Sequence, residues 1–311
     1  MKKILSPIIL FAAAFIWGIA FVAQKTASEV PVFTLTASRS VIAALVLIPI
    51  TALFDKLSGS GRHLISKRGV DITGRELIGG ILCGIALFGA TALQQAGING
   101  TNPGKASFIT ALYVVIVPLY SLLFGKRSPL NVWVGVAVSV VGFYLLCIKS
   151  DFSISPADLL VFACAFVYAV QIMVIDHFVA SCDGVRLSLI QFLTVTVLSL
   201  AAALIFELPI AVGSILPAMP EILYLGICSS GVAYTLQIIG QKHTHPAAAS
   251  IILCMESVVG AIASVIILGE SLSAREYIGC ATVLFAVIIS QVDPFSLIKS
   301  RKRMANSVQN Q

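Results

Sequence analysis

The chain has 311 residues, of which 58% are apolar and 11% charged, with a formal net charge of +6 and a mean hydropathy of +1.01. Twenty basic and 14 acidic side chains cannot cover a water-soluble surface of this size, because ordinary soluble domains are about 25% charged. The bilayer must be the solvent, which excludes a soluble enzyme, a nucleic-acid module and a secreted disulfide scaffold.

At about 20 apolar residues per span, ten spans fit, near 5–27, 31–54, 77–98, 103–124, 129–148, 157–177, 187–207, 219–240, 246–268 and 274–292. The first opens like a signal peptide, with Met-Lys-Lys before an apolar run. That run continues uncharged to Gln24 with no Ala-x-Ala site after it, so it is read as a span. The second carries Arg39 and Pro49. The third contains Gly80-x-x-x-Gly84, a spacing that lets helices approach closely, and the stretch from Leu77 to Gly104 is free of charge. The fourth starts after Asn102-Pro103 and contains Pro118, which is expected to kink it. The ninth starts after His245-Pro246, carries Glu256 and has a second small-residue spacing, Gly260-x-x-x-Ser264.

The basic residues fix an orientation. With the N-terminus in the cytoplasm, fifteen of the twenty fall on the inner side, and Lys25, Lys105, Lys149 and Arg275 fall at outer ends. Both termini are then cytoplasmic and the span count is even. The 55–75 loop and the basic tail at 296–311 could also meet anionic headgroups. The positive charge is thus accounted for by topology, and no nucleic-acid partner is expected. The seven cysteines are odd in number, have no CxxC spacing and, Cys182 apart, lie in apolar runs. They read as small apolar fillers rather than bridges or ligands.

The chain repeats itself. Residues 90–107 align without gaps on 233–250 with eight of eighteen identities, among them Gln94/Gln237, Pro103/Pro246 and Ser107/Ser250. The offset of 143 becomes 144 at Gly125/Gly269, and Phe11 to Phe15 matches Phe162 to Phe166 at 151. The halves lie near 1–150 and 151–295, each with five spans. Five is odd, so the second half crosses in the opposite sense. Two inverted halves are the arrangement that supports alternating access around a mid-membrane site. Duplication in a non-transporting scaffold or lipid-interacting protein is the other reading.

Charged groups at depth need a reason. Glu256, near the middle of the ninth span, either takes up and releases a proton as water access alternates or is a hydrogen-bonded packing residue. Arg39, about two turns into the second span, holds a substrate carboxylate, belongs to a fixed structural pair, or reaches the outer interface. Lys25 and Lys105 are expected to snorkel, with Lys105 also placed to guard the outer mouth. Trp17, Tyr113, Tyr168 and Tyr234 lie near the middles of four spans, and Gln94, Gln171 and Gln237 each within about two turns of a midplane. This set suits a cavity with aromatic walls and sparse polar groups. The chain has no intramembrane-protease signal, Asp-rich diphosphate motif, phosphate-cradling loop or His/Cys metal spacing, so neither an enzyme nor a cofactor is expected. His63, His177, His243 and His245 lie at loops or helix ends.

The run Gly104-Lys-Ala-Ser-Phe-Ile-Thr-Ala-Leu-Tyr-Val-Val-Ile-Val-Pro118-Leu, after Ala92-Leu-Gln-Gln-Ala-Gly, resembles the drug/metabolite transporter superfamily, EamA type. So do Trp17-Gly18, Arg39, Met255-Glu256-Ser257 and Leu268-Gly269-Glu270. The resemblance covers about residues 5–292. Ser257 stands where the family usually has Pro, and Gly125-Lys126-Arg127 where Gly-Glu is common. The resemblance implies an all-α integral membrane fold of ten helices in two inverted five-helix repeats. It also implies a central cavity lined mainly by spans 1, 3, 4, 6, 8 and 9, and export of amino acids or other metabolites. The expected partners are a small-molecule substrate and the bilayer, with protons and a second copy of the chain as further candidates.

Overall fold

A computed structural model of the chain describes residues 2–58, 64–66, 69–101, 103–147, 155–209, 212–269 and 271–291. The expected basic tail at 296–311, His63, Asn102, Lys149 and Glu270 lie outside these residues. Helices form the described structure apart from a two-residue antiparallel ladder, β1 (Ile65–Ser66) with β2 (Gly69–Val70). Lipid offers backbone groups no partners, so each span must satisfy its own as a helix.

The first half runs α1 (Lys2–Thr26), α2 (Val32–Ser58), α3 (Gly74–Gly100), a fourth span made of α4 (Pro103–Ala111) and α5 (Tyr113–Leu123), and α6 (Leu130–Cys147). The second runs α7 (Pro156–Val179), α8 (Gly184–Phe206), α9 (Val212–Ile215) and an eighth span of α10 (Met219–Leu223), a π-helical stretch (Tyr224–Ala233) and α11 (Tyr234–Gln241). It ends with a ninth span of α12 (Pro246–Leu253) and α13 (Met255–Leu268), followed by α14 (Ala274–Gln291). Among the described residues nine stretches are long and apolar enough to cross a bilayer, and Leu130–Leu146 is apolar but shorter. These ten match the expected spans to within about three residues.

Local chemistry sets the ends. Thr73 with Glu76, Ser155 with Asp158 and Ser273 with Glu276 form reciprocal caps at the starts of α3, α7 and α14. Asp183 accepts from the Val185 and Arg186 amides at the start of α8. Fourth and ninth spans end alike, at Gly125 (φ 74°) and Gly269 (φ 69°), a left-handed conformation that costs glycine little. Lys126 N donates to Ser121 O across the first of these turns, closing the helix C-terminus.

The halves interlock. α3 lies along α7 and α8, α2 along α8, α1 along α13, the π stretch and α11, and α6 along α14. Gly80 and Gly84 are where α3 meets α8. A Cβ at Gly84 would stand 2.5 Å from Thr194 Cβ and 2.8 Å from Gln191 O, so the close approach needs glycine.

Two ties join α2 to α8 at opposite ends. Arg186 Nη2 lies 2.8 Å from Asp55 Oδ1, both side chains nearly inaccessible. The contact is a charge pair rather than an aligned hydrogen bond. At the other end the Glu207 carboxylate accepts from Phe33 N (2.8 Å), Thr34 N (2.7 Å) and Thr34 Oγ1 (2.8 Å). Thr34 and Arg186 share the offset of 152 with Asp55 and Glu207, so one tie is the repeat image of the other.

The fourth span is interrupted at Leu112, before Pro118, which sits inside α5. The ninth breaks at Cys254, nearly the equivalent place. Lys25 and Lys105, expected to snorkel, have protein partners at these helix ends: Lys25 Nζ donates to Ile98 O (3.1 Å) and Thr101 O (3.3 Å) at the end of α3, and Lys105 pairs with Asp158 at 2.6 Å.

Candidate functional site

One cavity lies between the halves, with about 480 Å³ of space not filled by atoms, part of it continuous with the exterior. Trp17, Arg39, Gln94, Tyr113, Tyr168, Gln171, Tyr234, Gln237 and Glu256 all line it. The spans contributing are 1, 3, 4, 6, 8 and 9, with Arg39 added from the second. Sequence reasoning did not single out Ala20, Phe21, Gln24, Thr110, Ile172, Ser229 and Leu253, which complete the lining. A signal was available for several of them. Ala20, Phe21 and Gln24 follow Trp17 at helical spacings of three, four and seven, and Thr110 precedes Tyr113 by three, so each pair shares a face.

Phenols and amides form the polar walls. Tyr168 OH donates to Gln94 Oε1 (3.0 Å), Gln94 Nε2 donates to Thr110 Oγ1 (3.3 Å), and the Tyr168 and Tyr234 hydroxyls stand 3.4 Å apart. At one end of the cavity Gln171 and Gln237 exchange amide hydrogen bonds (3.5 and 3.2 Å), and Gln171 also donates to Gln191 (3.3 Å). The Tyr234 ring packs on Trp17, centroids 4.6 Å apart, and edge-on to Phe192 at 5.5 Å.

Helix breaks position the central pair. Tyr113 is the first residue after the break in the fourth span, and Glu256 is the second residue of α13, just past the break in the ninth. Tyr113 OH donates to Glu256 Oε1 at 3.2 Å. The two are 143 positions apart, the alignment offset, so equivalent residues of the two halves touch each other. Cys254 Sγ and Ala111 O repeat the relation at 3.5 Å. The pseudo-twofold axis therefore passes through this contact.

The π stretch supplies another irregularity. Its wider turn alters the usual backbone pairing, and Trp17 Nε1 donates to Ser229 O at 3.2 Å. Tyr224 OH reaches back to Ile16 O at 2.8 Å. No side-chain pattern signalled this stretch. Its equivalent in the first half, around residues 81–90, is ordinary α-helix.

Arg39 is 5% exposed. Its Nε is buried without a hydrogen-bond partner, and among the described residues no carboxylate lies within ion-pair distance. The cavity lining thus carries one cation, Arg39, and one carboxyl, Glu256, among its phenols and amides. Among the described residues no group of three or more His, Cys, Asp or Glu could hold a metal ion.

Comparison with known proteins gives three findings. A model described as the EamA-like transporter family matches the chain twice, over residues 5–148 and 155–291. A protein of Archaeoglobus fulgidus named "Uncharacterized transporter" is 28% identical over 295 residues, spanning 93% of this chain and 86% of that relative. A solved structure described as "Crystal structure of protein" superposes with a TM-score of 0.73 at 22% identity, over 92% of this chain and 96% of that one, a likeness of fold.

Proposed function

The chain belongs to the EamA-like transporter family, and from that premise we propose that it is a secondary carrier exporting a small organic metabolite, an amino acid or a related solute, by alternating access. The observation that carries the reading is a cavity lined from both repeats, beside the contact where their pseudo-twofold axis passes. A scaffold has no use for such a lining, since buried amides and phenols are costly where packing alone would serve. The broken fourth and ninth spans flank the cavity, as in carriers whose sites are built on discontinuous helices. In this reading Trp17, Gln94, Tyr113, Tyr168, Gln171, Tyr234 and Gln237 contact solute, and Glu256 carries the coupling proton. The cytoplasmic membrane is its location, with both termini in the cytoplasm, because that orientation puts most basic residues inside.

Purified protein in liposomes tests this. Saturable flux of at least one member of a labelled amino-acid and metabolite panel, absent from protein-free vesicles, is expected. With Glu256→Gln, the dependence of that flux on a pH gradient is lost. Flux no faster than the protein-free control across the panel refutes the carrier reading, and gradient-driven flux that survives Glu256→Gln refutes coupling through this residue.

A further inference from the structure

Arg39 differs from every other basic group described in the interior. Arg186, the other deeply buried arginine at 1% exposed, has Asp55 at 2.8 Å. Lys105 has Asp158, and Lys126 has Asp176 at one end of the bundle. Lys25 is held by two carbonyls at a helix C-terminus. Arg39 has none of these, although it sits inside a span and lines a cavity. The buried carboxylates that might serve it are engaged elsewhere: Asp55 with Arg186, Glu76 with the Asp183 amide, Asp158 with Lys105. Glu256 takes the Tyr113 hydroxyl. A guanidinium keeps its charge in a protein, and an uncompensated charge in a low-dielectric site is costly. A position that keeps such a group without a protein counter-charge is built for an anion from outside the protein.

The site is also one-sided. The repeat equivalent of Arg39, at the offset of 152, is the neutral Gln191, which lies in the amide cluster with Gln171. The equivalent of Glu256 is the neutral Tyr113. The two halves therefore offer opposite ends of different charge, and a solute binds in one orientation. Arg39 is the one cation in the lining among the described residues, which matches a monoanion better than a phosphate dianion. The guanidinium fork suits the two oxygens of a carboxylate. Tyr168 and Tyr234 line the same cavity, and Trp17 supplies an apolar wall.

We propose that the carried solute bears a carboxylate, and that Arg39 is the residue that recognises it. This rests on the carrier reading for its meaning but is tested by binding, so the two can fail separately. The probes are matched pairs on one skeleton: 3-phenylpropionate with its carboxamide, leucine with leucinamide, hexanoate with hexanamide, and phenyl phosphate as the other oxyanion. Thermal shift of the purified full-length protein reads binding. At least one carboxylate raises Tm and its amide does not. Arg39→Gln weakens that carboxylate roughly 10- to 100-fold, the range for a lost hydrogen bond to a charged group, whereas Arg39→Lys keeps part of the affinity.

The unliganded variants give an independent readout. Removing a buried charge that has no protein partner leaves the Tm of ligand-free Arg39→Met equal to or above that of the parent protein, whereas removing a structural ion pair lowers it. Three results each overturn the inference: a ligand-free Arg39→Met that melts markedly lower, amides that bind as well as their acids, or phenyl phosphate as the only probe that binds. A carboxylate that binds through Arg39 but is not moved in liposomes leaves the site standing and removes the carrier reading. Flux of solutes without acid preference does the reverse.

Discussion

The Asp55–Arg186 pair offers a stability test whose size follows from its surroundings. The charges stand 2.8 Å apart at 6% and 1% exposure. At an effective dielectric of about 20 their raw attraction is about 6 kcal/mol, and desolvation of both partners cancels most of it. What is large is the cost of leaving one charge behind, about 3–5 kcal/mol for a buried pair broken from one side. At roughly 2–3 °C per kcal/mol, Arg186→Met should lower Tm by roughly 6–15 °C. Asp55→Asn should do the same, because it strands the guanidinium while its amide oxygen can still accept from Leu64 N, now bonded to Asp55 Oδ2 at 2.7 Å. The double variant Asp55→Asn/Arg186→Met strands neither charge and should recover most of the loss. A double-mutant cycle in detergent by differential scanning fluorimetry measures this directly. Single variants that each cost under about 1 kcal/mol, or a double variant whose loss is the sum of the two, would refute the view that this is a dry pair joining α2 to α8.

Gly84→Leu should destabilise by several kcal/mol or prevent folding, since even its Cβ would collide with Thr194 and the Gln191 carbonyl; yield of monodisperse protein checks it. Trp17→Phe keeps the ring against Tyr234 but removes the donor to Ser229 O, so a loss of about 1–3 kcal/mol and slower flux are expected from melting and transport assays. His245, whose Nδ1 accepts from Ala247 N at 3.4 Å, titrates below the usual histidine value because of burial, with Lys126 acting in the same direction and Asp176 opposing. Its neutral form is therefore the native one. Its contribution to stability is complete above the unfolded value near 6.5 and is lost as pH falls through the lower folded value. A Tm profile should show this acid-side loss, and His245→Asn, which caps without titrating, should flatten that part of it.

The helices were legible because each span must be apolar throughout and the repeat could be aligned by eye. The site was legible in part for the same reason: a Gln, Tyr, Arg or Glu in a lipid-length run has few excuses, and all nine singled out meet at one cavity. Residues that belong to the lining by shape, such as Ala20 and Leu253, carry no chemical mark. The helix breaks carried no such mark: the fourth span is interrupted at Leu112, beside the Tyr113–Glu256 contact between the halves. The π stretch was invisible for a like reason, because the carbonyl it turns toward Trp17 has no side-chain signature. The partners of Lys25 and Lys105 were not legible because they meet only through tertiary packing, of α1 on the end of α3 and of α4 on the start of α7.

The Tyr113–Glu256 contact also bears on how such a molecule can arise. In an assembly of two identical five-helix units the same side chain would face its own twin at this point. Two ionised acids would repel and two phenols would carry no acid, so a carboxyl matched with a phenol is closed to a symmetric dimer. Joining the copies in one gene frees each to drift apart from the other, and the first place where that freedom changes the chemistry is the point where the twins meet.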